Sequence, residues 1–206
     1  MTSDAYPPWE PPFAGTETEH VLGSLDRLRV TFRWKADGLD ADRIHAVAAP
    51  SSLTVAGLLK HLAAQEDYAA QVKVAGESMP SVWDDNGWNG DDEWEFTSAA
   101  EQPPAELYAL YDAAVERSRR TIGAALDDRG LDGESAVTLP DGSKASVRRI
   151  LFDLLEEYGR PTGHLDLVRE AADGRVGEDP PPTWIPAHPL NDGGDTRRDT
   201  VGDPAE

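Results

Sequence analysis

The sequence predicts an all-α protein: a four-helix bundle with a small β-hairpin between helices three and four and a long Trp-rich crossover between helices two and three. Three observations predict it. Apolar residues recur at three- and four-residue spacing in four long segments, Pro and Gly punctuate the breaks between them, and the connections are short or moderate, as bundles require. A chain of 206 residues usually makes one substantial domain and can enclose a real core.

The first helix is expected over roughly 17–36, where Val21, Leu22, Leu25, Leu28 and Phe32 line one face up to the turn signal Asp37-Gly38. Before it, Pro7, Pro8, Pro11 and Pro12 make residues 1–15 an extended arm that Trp9 and Phe13 can dock onto the body. The second helix is announced by Pro50-Ser51-Ser52, in which a serine can cap free N–H groups. Its inner stripe reads Val55, Leu58, His61, Leu62, Gln65, Ala69 and Val72, and it ends near Gly76. The third follows Pro103-Pro104 and runs through Leu107, Leu110, Tyr111, Ala114, Ile122 and Leu126 to Gly130. Val137-Thr138-Leu139 and Lys144 to Ser146 then flank a tight-turn sequence, Pro140-Asp141-Gly142-Ser143.

The fourth helix, Ser146 to about Ala172, carries the most informative stripe: Val147, Ile150, Leu154, Glu157, Pro161, His164 and Val168. A carboxylate, a helix breaker and an imidazole stand where hydrocarbon is expected. Pro161 removes one helical hydrogen bond at a cost of roughly 3 kcal/mol or more, and with Gly159 and Gly163 beside it a local kink is expected. The bundle thus spans 16–177, and the Pro-, Gly- and Asp-rich stretch 178–206 reads as a tail.

A net charge of −20 and a pI near 4.5 argue against nucleic acid and anionic membranes, which need clustered Lys and Arg. The absence of cysteine excludes disulfides, thiolate metal sites and a Cys nucleophile. With no signal-like start and no run of about eighteen apolar residues, the expected location is cytoplasmic.

His61 and His164 both lie on or beside inward faces, so two imidazoles can meet across the core, and Glu157, two turns before His164, can join them. An imidazole pair with a carboxylate is metal-ligand chemistry; the plainer reading is two satisfied core histidines and a Glu157 ion pair with Arg160 or Arg169. The segment 80–96, with three tryptophans among six acidic residues, does not fit a calcium loop: counting from Asp85, Gly87 holds the third position and Phe96 the last. A lid or pocket wall anchored by Trp83, Trp88 and Trp94 is the better expectation. His20, His45 and His188 show no partner spacing. No nucleophile elbow, P-loop, G-x-G-x-x-G or H-E-x-x-H is present.

The segments Ser51-Ser52-Leu53-Thr54 to His61-Leu62-Ala63 with Glu66, and Gly163-His164-Leu165-Asp166 to Arg169-Glu170 with Asp173-Gly174, resemble the DinB/YfiT-like superfamily, most closely its mini-circle protein branch, over about residues 15–177. The resemblance implies a commonly dimeric four-helix bundle holding a divalent metal of zinc or nickel type on three histidines. His61 and His164 match two of them. The third falls on Pro161, so that Glu157, a substrate group or water would have to complete the shell. Relatives include transferases and isomerases that use low-molecular-weight thiols such as mycothiol, bacillithiol or glutathione. The resemblance therefore implies a thiol S-transferase with an incomplete metal triad. The alternative is a metal-free bundle that binds a small molecule or serves regulation or interaction.

Overall fold

The structure is a computed structural model describing residues 7, 9–85, 87–88, 91, 93–181 and 183–184. His188 and most of the expected tail lie outside the described residues.

Helix α1, Glu17–Ala36, begins where the sequence expects. Thr16 accepts from the Glu19 N–H while the Glu19 carboxylate accepts from the Thr16 N–H, a reciprocal cap that satisfies two orphan donors. A single turn, α2 (Ala41–Ile44), follows. Helix α3, Val55–Asp67, is capped by Thr54 rather than by Ser51 or Ser52; the Ser51 hydroxyl instead accepts from the Leu53 N–H in the turn before it. Beyond Asp67 the same rod widens into a π-helical segment, Tyr68–Ala75, and stops at Gly76 in the left-handed conformation. The wider turn shifts the inward face. Ala69, Ala70 and Val74 are buried, while Val72, which regular spacing places inside, is only half-buried.

The crossover is not bare loop. It holds α4 (Ser81–Asp85), α5 (Trp94–Ser98) and a 3-10 turn, Ala99–Glu101, before α6, Pro104–Arg129. Proline opens α6, where a missing N–H costs nothing. Strands β1 (Glu134–Thr138) and β2 (Lys144–Ser146) form the antiparallel hairpin. Ser146 caps α7, which runs unbroken from Val147 to Asp173 through Pro161.

The chain is mostly helical, and its helices bury one core. Helix α3 packs against α6 and α7, α1 packs along α7, and the π segment packs on α6. Leu25 and Phe32 of α1, Leu58 and Leu62 of α3, Tyr108 and Tyr111 of α6, and Leu154 and Leu165 of α7 are fully buried between them. A charged cluster is sealed within this hydrocarbon. Arg29 donates through Nε and Nη2 to both oxygens of Glu66 at 2.7 Å, and Tyr158 donates to Glu66 Oε1 at 2.7 Å. Having spent its proton there, the Tyr158 hydroxyl accepts from Tyr111 at 2.9 Å. Burial opposes the Arg29 charge, but Glu66 more than offsets it and its pKa rises; burial pushes both tyrosines up, so they stay neutral donors. The cluster ties α1, α3, α6 and α7 at one level.

The first and last described segments both return to α1. Glu10 pairs with Arg27, Lys35 Nζ donates to the Gly177 carbonyl at 2.7 Å, and the Trp184 indole donates to Asp37. Of the two aromatics expected to dock the arm, Trp9 is half-buried but Phe13 is 91% exposed: the arm is held by Glu10 and by Pro11 against Gly23. Among the described residues no helix is long and apolar enough to cross a membrane.

Candidate functional site

His61, on the α3 face turned toward α7, is the centre of the site. Helix α5 approaches so closely here that a Cβ on Gly57 would stand 2.9 Å from Cδ1 of the Phe96 ring and 3.4 Å from the Phe96 Cα. Three successive residues of α5 then engage α3. Trp94 offers its ring face to Lys60 Nζ at 4.2 Å, Glu95 Oε2 lies 2.7 Å from His61 Nδ1, and the Phe96 ring stacks on the imidazole at 5.2 Å. A carboxylate can only accept from this position, so Nδ1 carries the proton and Nε2 presents a lone pair.

That lone pair faces α7. Glu157 Oε2 lies 3.8 Å from His61 Nε2, beyond hydrogen-bond distance but near enough to favour a proton arriving there. Glu157 pairs with His61, therefore, and not with either arginine proposed from helical spacing. Arg169 is buried and turns to Asp173 and to the Lys35 and Asp37 carbonyls, while Arg160 has no ion pair among the described residues. The facing of α3 and α7 at this level is fixed nearby by the Glu66–Tyr158 bond, five residues after His61 and one after Glu157.

His61, Glu157, His164 and Pro161 all line one cavity of about 320 Å³, with Leu53, Leu58, Phe96 and Arg160. The sequence stripe thus does come together at one wall. Pro161 is buried, and the helical bond that its missing N–H cannot make is the one to the Glu157 carbonyl. His164 is half-buried with no hydrogen-bond partner among the described residues. The ligand types share the wall without converging: no group of three or more His, Asp or Glu among the described residues is placed to hold a metal ion. The three-ligand centre that the resemblance implies does not fit the residues as placed.

Glu95 is the functional residue that sequence reasoning missed. Its only signal was its place between two aromatics, Trp94 and Phe96, in a segment read as a wall. Lys60, beside it, is also buried: its side chain lies between Trp94 and Gln102, whose Oε1 accepts from Nζ at 2.7 Å. Burial lowers its pKa to about 8, against the opposing pull of Glu95. Of the remaining histidines, His20 meets the Pro12 carbonyl and His45 the Gln102 carbonyl, both away from the cavity. The tryptophans of the crossover divide the work: Trp83 is fully buried and donates to Asp67 at 2.8 Å, while Trp88 lines a second cavity beside His61.

A family described as Mycothiol-S-transferase matches residues 20–174. The chain belongs to this family, which is DinB/YfiT-like. The match covers α1 through the end of α7 and so includes every residue of the site. No curated protein and no solved structure matches the chain.

Proposed function

We propose that this protein is a thiol S-transferase of the mycothiol type, built on residues 16–177 as a DinB-type four-helix bundle. The observation that carries this is the Glu95–His61 bond, which leaves Nε2 as a base facing a cavity. In the reaction, His61 Nε2 takes the thiol proton, sulfur bonds to the electrophilic carbon, and the leaving group departs with its electron pair and receives the proton from His61. Glu95 and Glu157 flank the imidazolium while it exists. Arg160, a cation on the cavity wall, favours the thiolate.

A divalent ion of zinc or nickel type on His61, Glu157 and His164 is the second reading. It is favoured by Glu95, since a carboxylate on the far nitrogen commonly orients a metal-bound imidazole. A bound divalent cation would supply a lowered thiol pKa; as the three groups do not converge, no step is routed through it. A metal-free binding or regulatory bundle is the third, supported by Pro161 where the family places a ligand.

The experiment is turnover of 1-chloro-2,4-dinitrobenzene with mycothiol, glutathione or no thiol, by purified protein before and after chelation. Thiol-dependent turnover lost in His61→Ala supports the transferase. Turnover that survives chelation dismisses the metal reading, and binding of thiol without turnover supports the regulatory one.

A cytoplasmic setting, where such thiols are kept reduced, accords with this chemistry. A homodimer is proposed through the outer face of α7, where Phe152 and Leu167 are 50% and 68% exposed. Sedimentation velocity of the wild type and Leu167→Glu tests it.

A further inference from the structure

His61 and Glu157 line two cavities, and the walls of the two differ in chemistry. The first, about 320 Å³, is mainly hydrocarbon from Leu53, Leu58, Phe96 and Pro161, with the Arg160 guanidinium as its strong cation. Glu156 shares its rim, so an anion there is read by the Arg160 fork and not by the net field. The second, about 470 Å³, is lined by the Tyr68 and Trp88 rings, the Gln65 amide and the Asp91 carboxylate, with Lys73 Nζ 5.0 Å from the Tyr68 ring centroid. Asp91 already accepts from the Glu93 N–H, and a carboxylate has further lone pairs to offer.

A group transfer between two molecules needs two subsites that meet at the residue moving the proton. Flat aromatic faces beside acceptors and an amide suit a polyol, whose C–H face lies on the ring while its hydroxyls donate to oxygen. The same wall, with Asp91 and Glu95 and with no lysine or arginine among its described lining residues, repels an anion. Hydrocarbon with one guanidinium suits the opposite kind of molecule.

We propose that the Tyr68–Trp88 cavity holds the sugar-like polyol of the thiol and that the Leu53–Arg160 cavity holds the electrophile, an apolar molecule carrying an acidic group. Sulfur and the electrophilic carbon meet beside His61 Nε2: the S–H proton passes to Nε2, the S–C bond forms, and the bond to the leaving group breaks with its electron pair. This assignment rests on the transferase reading.

Binding, which needs no turnover, separates the two. Glucosaminyl-inositol, a polyol without sulfur, and 3-phenylpropionate, an apolar acid, are titrated by calorimetry into the wild type, Trp88→Ala and Arg160→Gln. Trp88→Ala is expected to weaken the polyol by about tenfold or more and leave the acid unchanged; Arg160→Gln does the reverse. Competition between the two ligands, failure of either to bind the wild type, or one ligand responding to both variants would overturn the assignment. If both bind as expected and no thiol is turned over with any electrophile, the transferase reading fails while the two subsites stand.

Discussion

Glu95 and His61 meet at 2.7 Å from positions 34 residues apart, and their bond decides which imidazole nitrogen is free. Glu95→Gln keeps the shape but lets an amide N–H face Nδ1 in one of its orientations, which favours the wrong tautomer. Thiol transfer is expected to fall by about tenfold to a hundredfold, with the loss in kcat and little change in KM for either substrate. An unchanged kcat would remove Glu95 from the mechanism.

Pro161→His places a third imidazole on the wall that already holds His61 and His164 and restores the N–H that the Glu157 carbonyl lacks. Zinc affinity, measured by competition with a chromophoric chelator, is expected to rise by about tenfold or more over the wild type. Equal affinities would mean that position 161 is not the lost ligand.

Glu66→Ala leaves Arg29, which is only 4% exposed, without its buried counter-charge and with only the part-exposed Asp26, at 2.9 Å, to balance it. Loss of one partner of a buried pair costs about 3–5 kcal/mol, which urea denaturation will register as a lower midpoint. Tyr158→Phe removes only one neutral donor to the same carboxylate and is expected to cost about 1–2 kcal/mol. The opposite ranking would show that the tyrosine, not the arginine, holds the cluster.

Gly57→Ala puts a methyl group 2.9 Å from Phe96 Cδ1. Helix α5 must retreat, at a cost of about 1–3 kcal/mol, and it takes Glu95 with it. Stability and transfer rate are expected to fall together, whereas Gly123→Ala, with open space around it, should change neither except for a small gain in helix propensity.

Lys60 titrates near 8 because burial disfavours its charged form, while in the unfolded chain it titrates at about 10.4. Below both values the folded state carries the penalty in full. Between them the unfolded chain binds more protons, so the penalty lifts as pH rises. Lys60→Met therefore compares best with the wild type below about pH 8 and loses ground steadily up to about pH 10, as melting temperatures of the pair will show.

Local signals carried most of the architecture. The Asp37-Gly38 stop, the Pro103-Pro104 opening and the Pro140–Ser143 turn are decided by neighbours in the chain, and the structure places α1, α6 and the hairpin close to where those signals put them. The β1 strand starts three residues before Val137 because its pairing reaches Ser146 from Glu134. What periodicity could not show was the π turn after Asp67, since a widened turn is imposed by packing and carries no residue signature. The site divides in the same way. His61, Glu157 and His164 announced themselves as polar groups on an apolar stripe, whereas Glu95 sits in a segment whose spacing to α3 is set by folding alone.

Trp83 gives the crossover a property that matters for access. Its indole donates to Asp67, and Asp67 also accepts both Nε and Nη2 of Arg117 from α6, so the start of this wall is riveted to the seam between two long helices. A wall fastened at that point cannot swing aside as a flap without breaking a buried, charge-assisted joint. Access to the second cavity is then set by the side chains that line it, Trp88 and Tyr68 among them, which rotate on a scale of picoseconds to nanoseconds where exposed and more slowly where packed, and the entry rate should respond to the bulk of those two rings more than to solvent viscosity.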